Sequence, residues 1–271
     1  MADLIRTIRV NHINVVLEDY DATIEHYTRV FDGTNVLDLP RDTWHACLME
    51  FGRVIFEFFA PTDFFLHTRY GSHYIGIEYQ VEDFDAARAK VEELGIRVAR
   101  DLGVAVHTNP ADCHGVSLEL FGGFFHDGPQ LQAPMKPAEH WRDEHPLGLT
   151  GLKGITVAVT DLDEAVADFR AVFASEVVYE EPRPAINASS VGLQIADAVL
   201  EVVAPVGDGA LQEHLLAHAE GIRSTVFGVR DLDQAVRALR DRGVDLVPGS
   251  APNSMQIPPE QNRGILFEFS E

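Results

Sequence analysis

Residues 73–85, HYIGIEYQVEDFD, decide the fold that the sequence predicts. A run rich in β-branched and aromatic residues ends in VEDFD, and a helical pattern, AARAKVEELG, follows it. Similar segments recur as LEDYD at 17–21, VTDLD at 159–163 and VRDLD at 229–233. An Asp side chain accepts hydrogen bonds from the free N–H groups of a helix's first turn. Each segment therefore predicts a strand that passes into a helix, with these N-cap residues: Asp19, Asp83, Asp161 and Asp231.

Each of the four repeats also ends in the same way. After the predicted helix come short β-like runs, and the last of them carries a glutamate in an apolar strand, as in VIFEFFAP at 54–61 and GVSLELF at 115–121. The pattern predicts an α+β protein built from four βαβββ units. The units span roughly 8–61, 71–122, 150–205 and 222–271.

The four units are expected to pair into two domains. A stretch rich in Gly, Pro and charge separates the second unit from the third, which is typical of a linker. We predict a first domain at 1–122, a linker at 123–148 and a second domain at 149–271.

Composition limits the partners and the compartment. The net charge of −22 argues against nucleic acid and anionic membranes as partners, because their phosphates would be repelled. No apolar run approaches the roughly 18 residues that a membrane helix needs. The N-terminus, MADLIRTIRV, is too mixed for a secretory signal, so we expect a cytoplasmic protein with a small-molecule substrate. The sequence leaves open whether the protein forms a homodimer.

Histidines are concentrated in the first half, where ten of the twelve lie at or before His145. His12 and His73 each open the first strand of a unit, and Glu57 and Glu119 lie in the last strands of the same units. The spacing from histidine to glutamate is 45 residues in the first unit and 46 in the second. We predict that these four side chains converge on one divalent metal ion: Zn, Ni, Co, Mn or Fe.

The second half serves as an internal comparison for these ligands. His12 corresponds to Gly154 and His73 to about Gly221, whereas the glutamates persist as Glu201 and Glu268. We therefore expect no metal, or only weak binding, in the second half. The persistence of the glutamates also leaves a structural role open for Glu57, and a core histidine is the alternative for His73.

The sequence resembles the vicinal oxygen chelate superfamily, which includes glyoxalase I, methylmalonyl-CoA epimerase, extradiol dioxygenases and bleomycin-resistance proteins. Three segments carry this resemblance: VNHINVVLEDYDATIEHYTRVFD, HYIGIEYQVEDFDAARAKVEELG and HGVSLELF. It implies two domains, each with a cup-shaped mixed β-sheet, and one metal ion inside the sheet of the first domain. The ligand positions of the family match His12, Glu57, His73 and Glu119, a set that looks most like bacterial glyoxalase I.

This resemblance implies a metal-dependent lyase, isomerase or epimerase of the glyoxalase type. The substrate would chelate the metal through vicinal oxygens, and Glu119 with Glu57 would move the proton. One alternative is an Fe²⁺ dioxygenase acting on an aromatic catabolite, and a second is a protein that only sequesters its ligand. Candidate substrate-binding residues are Asn14, Trp44, His45, Arg53 and His107.

Overall fold

The structure is a computed structural model that describes residues 3–40, 45–60 and 71–271. The first half of the chain contains β1 (Thr7–Val16), α1 (Tyr20–Phe31), β2 (Thr34–Pro40), β3 (His45–Phe51), β4 (Val54–Phe59), β5 (His73–Val81), α2 (Phe84–Glu93), β6 (Val98–Asp101), β7 (Ala105–Thr108) and β8 (Ser117–Phe121). The second half contains β9 (Leu149–Ala158), α3 (Leu162–Val172), β10 (Glu176–Arg183), β11 (Ala188–Ile195), β12 (Ala198–Pro205), α4 (Ala210–His218), β13 (Gly221–Val229), α5 (Leu232–Asp241), β14 (Val247–Pro248), β15 (Ser254–Ile257) and β16 (Phe267–Ser270).

The four predicted N-caps are confirmed. In each case the aspartate side chain accepts a hydrogen bond from a backbone N–H three residues later, as Asp83 does from Ala86 at the start of α2. The same bond opens α1, α3 and α5. A positive φ at Gly95 ends α2 in the left-handed conformation that glycine adopts without strain.

The strands form two eight-stranded mixed sheets, and each sheet lies in one half of the chain. The order is β2-β3-β4-β1-β5-β8-β7-β6 in the first and β10-β11-β12-β9-β13-β16-β15-β14 in the second. Both orders follow the same path, so the second half repeats the first. The predicted α+β architecture of four βαβββ units is confirmed.

Helix α4 is an addition to the predicted repeat. It follows β12, and its Leu211 and Leu215 lie four residues apart on one helical face. Both are buried against Ala158, Ile186 and Val203 of the second half. Burial of that face accounts for the helix.

Contacts between Cα atoms divide the chain into two compact units that each draw on both halves. Unit 1 consists of Met1–Ile13, Ile75–Phe124 and Gly154–Arg223, and unit 2 of Asn14–Tyr74, Phe125–Lys153 and Ser224–Glu271. This division follows packing rather than chain order, so the predicted domain boundaries stay a prediction.

From Phe125 onward, the predicted linker is part of unit 2 and packs against its sheet. Met135 is buried, and Phe125 and Leu131 pack beside it, against a cluster on β2, β3 and β4. The backbone N–H of Gln132 donates to the carbonyl of Val36 at 2.7 Å. The Pro- and Gly-rich composition therefore marks irregular backbone, while its few apolar side chains attach it to the sheet.

Aromatic side chains build the core of unit 2. Tyr27 of α1 stacks on Phe58 of β4 with ring centres 5.0 Å apart, and Phe56 stacks on Phe51 at the same separation. Phe267 of β16 contacts Phe56 at 5.3 Å. The aromatic run of β4 thus serves packing.

Among the described residues, no helix is both long and apolar enough to cross a membrane.

Candidate metal centre

His12 is a predicted metal ligand that the fold places in a cluster of acidic side chains. It lies in β1, seven residues before the N-cap Asp19, and only 2% of it is exposed. Its Nδ1 lies 3.3 Å from Oε1 of Glu78, and its Nε2 lies 3.6 Å from Oε2 of Glu119. Within unit 1, the buried imidazole of His12 therefore lies between the carboxylates of Glu78 and Glu119.

Strand register explains why these groups meet. Glu78 of β5 pairs with Glu119 of β8 in parallel register, and Glu119 pairs with His107 of β7 in antiparallel register. Side chains of paired residues point to the same face of a sheet. With β1 next to β5, the four side chains follow one another across β1, β5, β8 and β7. We call His12, Glu78, Glu119 and His107 the four-residue row.

The ligand atoms of this row suit a divalent cation. One nitrogen of His12 and one carboxylate oxygen each of Glu78 and Glu119 lie within 4.8 Å of one another, and all three residues are buried. Mixed nitrogen and oxygen ligands at such separations fit Zn²⁺, Mn²⁺ or Fe²⁺. Two carboxylates buried side by side repel each other, and a cation between them removes that cost.

The charge state of Glu119 follows from its neighbours. Burial opposes its ionisation, but the charge and hydrogen bond of His107, together with His12, hold the pKa of Glu119 well below its usual range. Nε2 of His107 lies 3.0 Å from Oε1 of Glu119. Glu119 is therefore an ionised carboxylate at neutral pH, as a metal ligand must be.

Glu57 and His73, the other two predicted ligands, belong to unit 2. Glu57 is buried in β4, opposite Leu48 of β3. His73 is buried at the start of β5, with Nδ1 2.8 Å from the carbonyl oxygen of Gly71. Their membership of a metal site stays a prediction.

The structural register corrects the expected equivalence of His12 and His73. His12 lies seven residues before the N-cap of its helix, whereas His73 lies ten before Asp83. The residue seven before Asp83 is Gly76. The matched spacing from histidine to glutamate predicted the ligand position less well than the distance from the N-cap. A displacement by an odd number of residues along a strand moves a side chain to the other face of the sheet.

The second half shows what a glutamate does at these positions without histidines. Glu201 accepts hydrogen bonds from Nε of Arg183 at 2.7 Å and from the hydroxyl of Thr156 at 3.1 Å. Glu268 accepts hydrogen bonds from the backbone N–H and hydroxyl of Ser250, at 2.9 and 3.0 Å. Both carboxylates are thus satisfied by protein groups.

The row itself is replaced in the second half. Counting from the N-caps and following the strand pairs, Gly154 stands for His12, Val226 for Glu78, and Gln256 for His107. Only Glu268 remains in place of Glu119. The substitutions remove the imidazoles and one carboxylate together, which supports the expectation that the second half holds no metal through this row.

The candidate substrate-binding residues fall at different places. His107 is in the row. Asn14 is buried in β1 at the position of Thr156, which is hydrogen-bonded to Glu201 in the second half. Trp44 lies outside the described residues.

His45 and Arg53 are engaged elsewhere. Cys47 pairs with Phe58, so strand alternation puts His45 on the face of β3 opposite to Glu57. Its Nε2 lies 2.6 Å from Oδ1 of Asp38. Arg53 lies in the turn between β3 and β4, with Nη2 2.6 Å from Asp127. Substrate contacts by these two residues stay predictions that this geometry does not favour.

Glu78 is the residue that sequence reasoning missed. If His73 were a ligand, strand alternation would put residues 75 and 77 on the ligand face of β5, whereas the pairing of Glu78 with Glu119 puts the even-numbered residues there. Counting five residues back from Asp83, and five from Asp19 to reach Asn14, would have placed Glu78 on the face that His12 shares.

Comparison with known proteins agrees with this architecture. Residues 153–257 match the model of the Glyoxalase/Bleomycin resistance protein/Dioxygenase superfamily. A mutant of 4-hydroxymandelate synthase from Streptomyces coelicolor superposes with a TM-score of 0.75 at 14% identity, covering 97% of this chain and 92% of that one. At this identity the likeness shows the fold alone. The predicted resemblance to the vicinal oxygen chelate superfamily is confirmed by the family match, which lies in the second half of the chain, and the fold of the whole chain agrees with it.

Two further solved structures cover less than half of the chain. Methylmalonyl-CoA epimerase from Mycobacterium tuberculosis is 28% identical over 45% of this chain and 87% of that one, with a TM-score of 0.42. A Streptomyces coelicolor methylmalonyl-CoA epimerase in complex with 2-nitronate-propionyl-CoA is 26% identical over 44% of this chain and 94% of that one, with a TM-score of 0.41. No curated protein matches the sequence significantly.

Proposed function

We propose that the chain is a divalent-metal-dependent enzyme that transfers a proton on a small substrate chelated through vicinal oxygens, as a lyase, isomerase or epimerase of the glyoxalase type. One observation carries the proposal: a buried imidazole and two buried carboxylates offer ligand atoms within 4.8 Å of one another. A bound divalent ion supplies Lewis acidity, which makes a proton beside a carbonyl group easier to remove.

Glu119 is the proposed base, with Glu57 as the second candidate. Burial opposes the ionisation of Glu119, but His107 and His12 outweigh it and hold the pKa of Glu119 well below its usual range, so the side chain is in the carboxylate form that a base requires. Only 4% of the residue is exposed, so water competes little for that oxygen. His107 holds Oε1 and leaves Oε2 on the side of His12.

The experiment that tests this function follows hydrogen exchange. The metal-loaded protein is incubated in D₂O with a panel of α-hydroxy ketones, 2-oxo acids and their thioesters, and deuterium uptake is read by mass spectrometry. We expect uptake at the carbon beside a carbonyl group, and a loss of about 10²-fold or more in Glu119→Gln, the range that one acid–base group supplies. Exchange that is absent, or unchanged in Glu119→Gln, contradicts the proposal.

A second candidate function is oxygen activation on Fe²⁺. It is favoured by one observation: Glu119 contacts both His107 and His12, which makes two imidazoles and one carboxylate available. Oxygen uptake with aromatic substrates, without deuterium exchange, would favour this candidate. A protein that only sequesters its ligand would show neither activity.

The proposal extends to the oligomeric state of the protein and to its location in the cell. We also propose that the protein acts in the cytoplasm, as a monomer or as a homodimer, and the net charge of −22 supports a small molecule as its partner rather than nucleic acid or an anionic membrane. Sedimentation of the full chain distinguishes the two assemblies.

A further inference from the structure

We propose that Glu78, and not His73, is the ligand that β5 contributes to the metal centre. The inference rests on the proposed function and deepens it, because it changes the composition of the site. The expected set of two imidazoles and two carboxylates becomes one imidazole, from His12, with the carboxylates of Glu78 and Glu119 around it.

Gly76 is the residue of β5 that corresponds to His12 of β1. It stands where His12 stands in the first unit, seven residues before the N-cap of the following helix. A Cβ atom added to Gly76 would lie 2.2 Å from the carbonyl oxygen of Ser117 in the paired strand β8. That oxygen belongs to the backbone and cannot move aside cheaply, so β5 carries no side chain at this position.

Strand alternation decides which side chains of β5 share the face of Gly76. Gly76 and Glu78 are two residues apart and share a face, and Gly76 pairs with Ser117 as Glu78 pairs with Glu119. His73 is an odd number of residues from both, so regular alternation along β5 directs it to the other face. The next side chain after Gly76 on the ligand face is therefore the carboxylate of Glu78.

Glu78 is buried in contact with His12. Its Oε1 lies 3.3 Å from Nδ1 of His12, and only 2% of the residue is exposed. A carboxylate is costly at such depth unless a cation or several donors compensate its charge. At the corresponding position the second half has the apolar Val226, beside a Glu268 that serine groups satisfy. The first half, which has His12, therefore also has the carboxylate of Glu78, and the second half has neither.

The role of His107 follows from the same assignment. Its Nε2 contacts Oε1 of Glu119, the oxygen that does not face His12. A hydrogen bond to a ligating carboxylate fixes which oxygen the ion meets. For proton transfer His107 is therefore a positioning residue, and only the alternative of oxygen activation on Fe²⁺ would use it as a ligand.

The test compares Glu78→Gln with His73→Ala in the full-length protein. After removal of metal by a chelator, each protein is titrated with Co²⁺, bound cobalt is measured by elemental analysis, and the visible absorption of the complex is recorded. We expect one Co²⁺ per chain in the parent protein, an affinity at least about tenfold lower in Glu78→Gln, and near-parental affinity in His73→Ala. Thermal unfolding of each metal-free variant reports whether it is folded.

Glu78→His keeps the test decisive if Glu78→Gln does not fold. A ligand that changes from oxygen to nitrogen shifts the visible absorption of bound Co²⁺, whereas a residue with only a structural role leaves that spectrum unchanged. An unchanged spectrum, or loss of Co²⁺ from His73→Ala but not from Glu78→Gln, would overturn the assignment of Glu78. Absence of Co²⁺ binding by the parent protein would instead refute the proposed function itself.

Discussion

Replacing His107 by leucine tests the organisation of the row most directly. The contact between Nε2 of His107 and Oε1 of Glu119 is 3.0 Å long, and the two residues are 8% and 4% exposed. A hydrogen bond to a charged group contributes about 1.5–3 kcal/mol. Loss of a group that orients a ligand lowers metal affinity by about 10–100-fold, which corresponds to about 1.4–2.7 kcal/mol. The two magnitudes agree, so we expect His107→Leu to lower the affinity for Co²⁺ within that range.

The assay is competition for Co²⁺ between the metal-free protein and a chromophoric chelator. His107→Gln retains a neutral donor and should lose less affinity than His107→Leu. The matched control is Gln256→Leu, the equivalent position in the second half, which should leave the affinity unchanged. Equal affinities of His107→Leu and the parent protein, both folded by thermal unfolding, would refute the reasoning.

Two further predictions concern stability. Arg183→Met leaves the carboxylate of Glu201 buried without its guanidinium partner, and we expect the free energy of unfolding in urea to fall by about 3–5 kcal/mol. Adding Glu201→Leu should recover much of this loss; a loss below about 1 kcal/mol in the single variant contradicts the prediction. Partial burial raises the pKa of Asp32, but the hydrogen bonds and charges of His145 and Arg242 have the larger effect. The pKa of Asp32 is therefore lower than its usual value. An acid with a lowered pKa stabilises the fold above its unfolded pKa and loses that contribution as the pH falls through the folded value. The difference in melting temperature between Asp32→Asn and the parent should therefore be largest near neutral pH and shrink below about pH 4; a constant difference would count against it.

The second half clarifies which parts of the site belong to the fold. Glutamate persists at 201 and 268, where Arg183 and Ser250 satisfy it. Glutamate at these strand positions is thus compatible with a purely structural role, and His12, Glu78 and His107 are what distinguish the first half. The same comparison is why the ligand role of Glu57 remains a prediction.

Local signals in the sequence were sufficient for the architecture. The four acidic segments predicted the N-caps because an aspartate before a helical pattern has a local use, hydrogen bonding to the first turn. Fourfold recurrence of that signal fixed the number of units and their order. Helix α4 was missed because it lies outside the repeat, and its two buried leucines alone gave too short a pattern.

The sequence by itself therefore determined the repeats, the helix starts and the two residues of the site that stand in strongly patterned strands, His12 and Glu119. Only the tertiary structure brought Glu78 and His107 to them. Their meeting depends on the register of β5 and β7 against β8, and register is set by long-range pairing rather than by neighbours along the chain. A count from the N-cap Asp83 gives the face of β5 that Glu78 occupies, but only the observed strand pairs show that Glu119 lies beside it and His107 beyond Glu119.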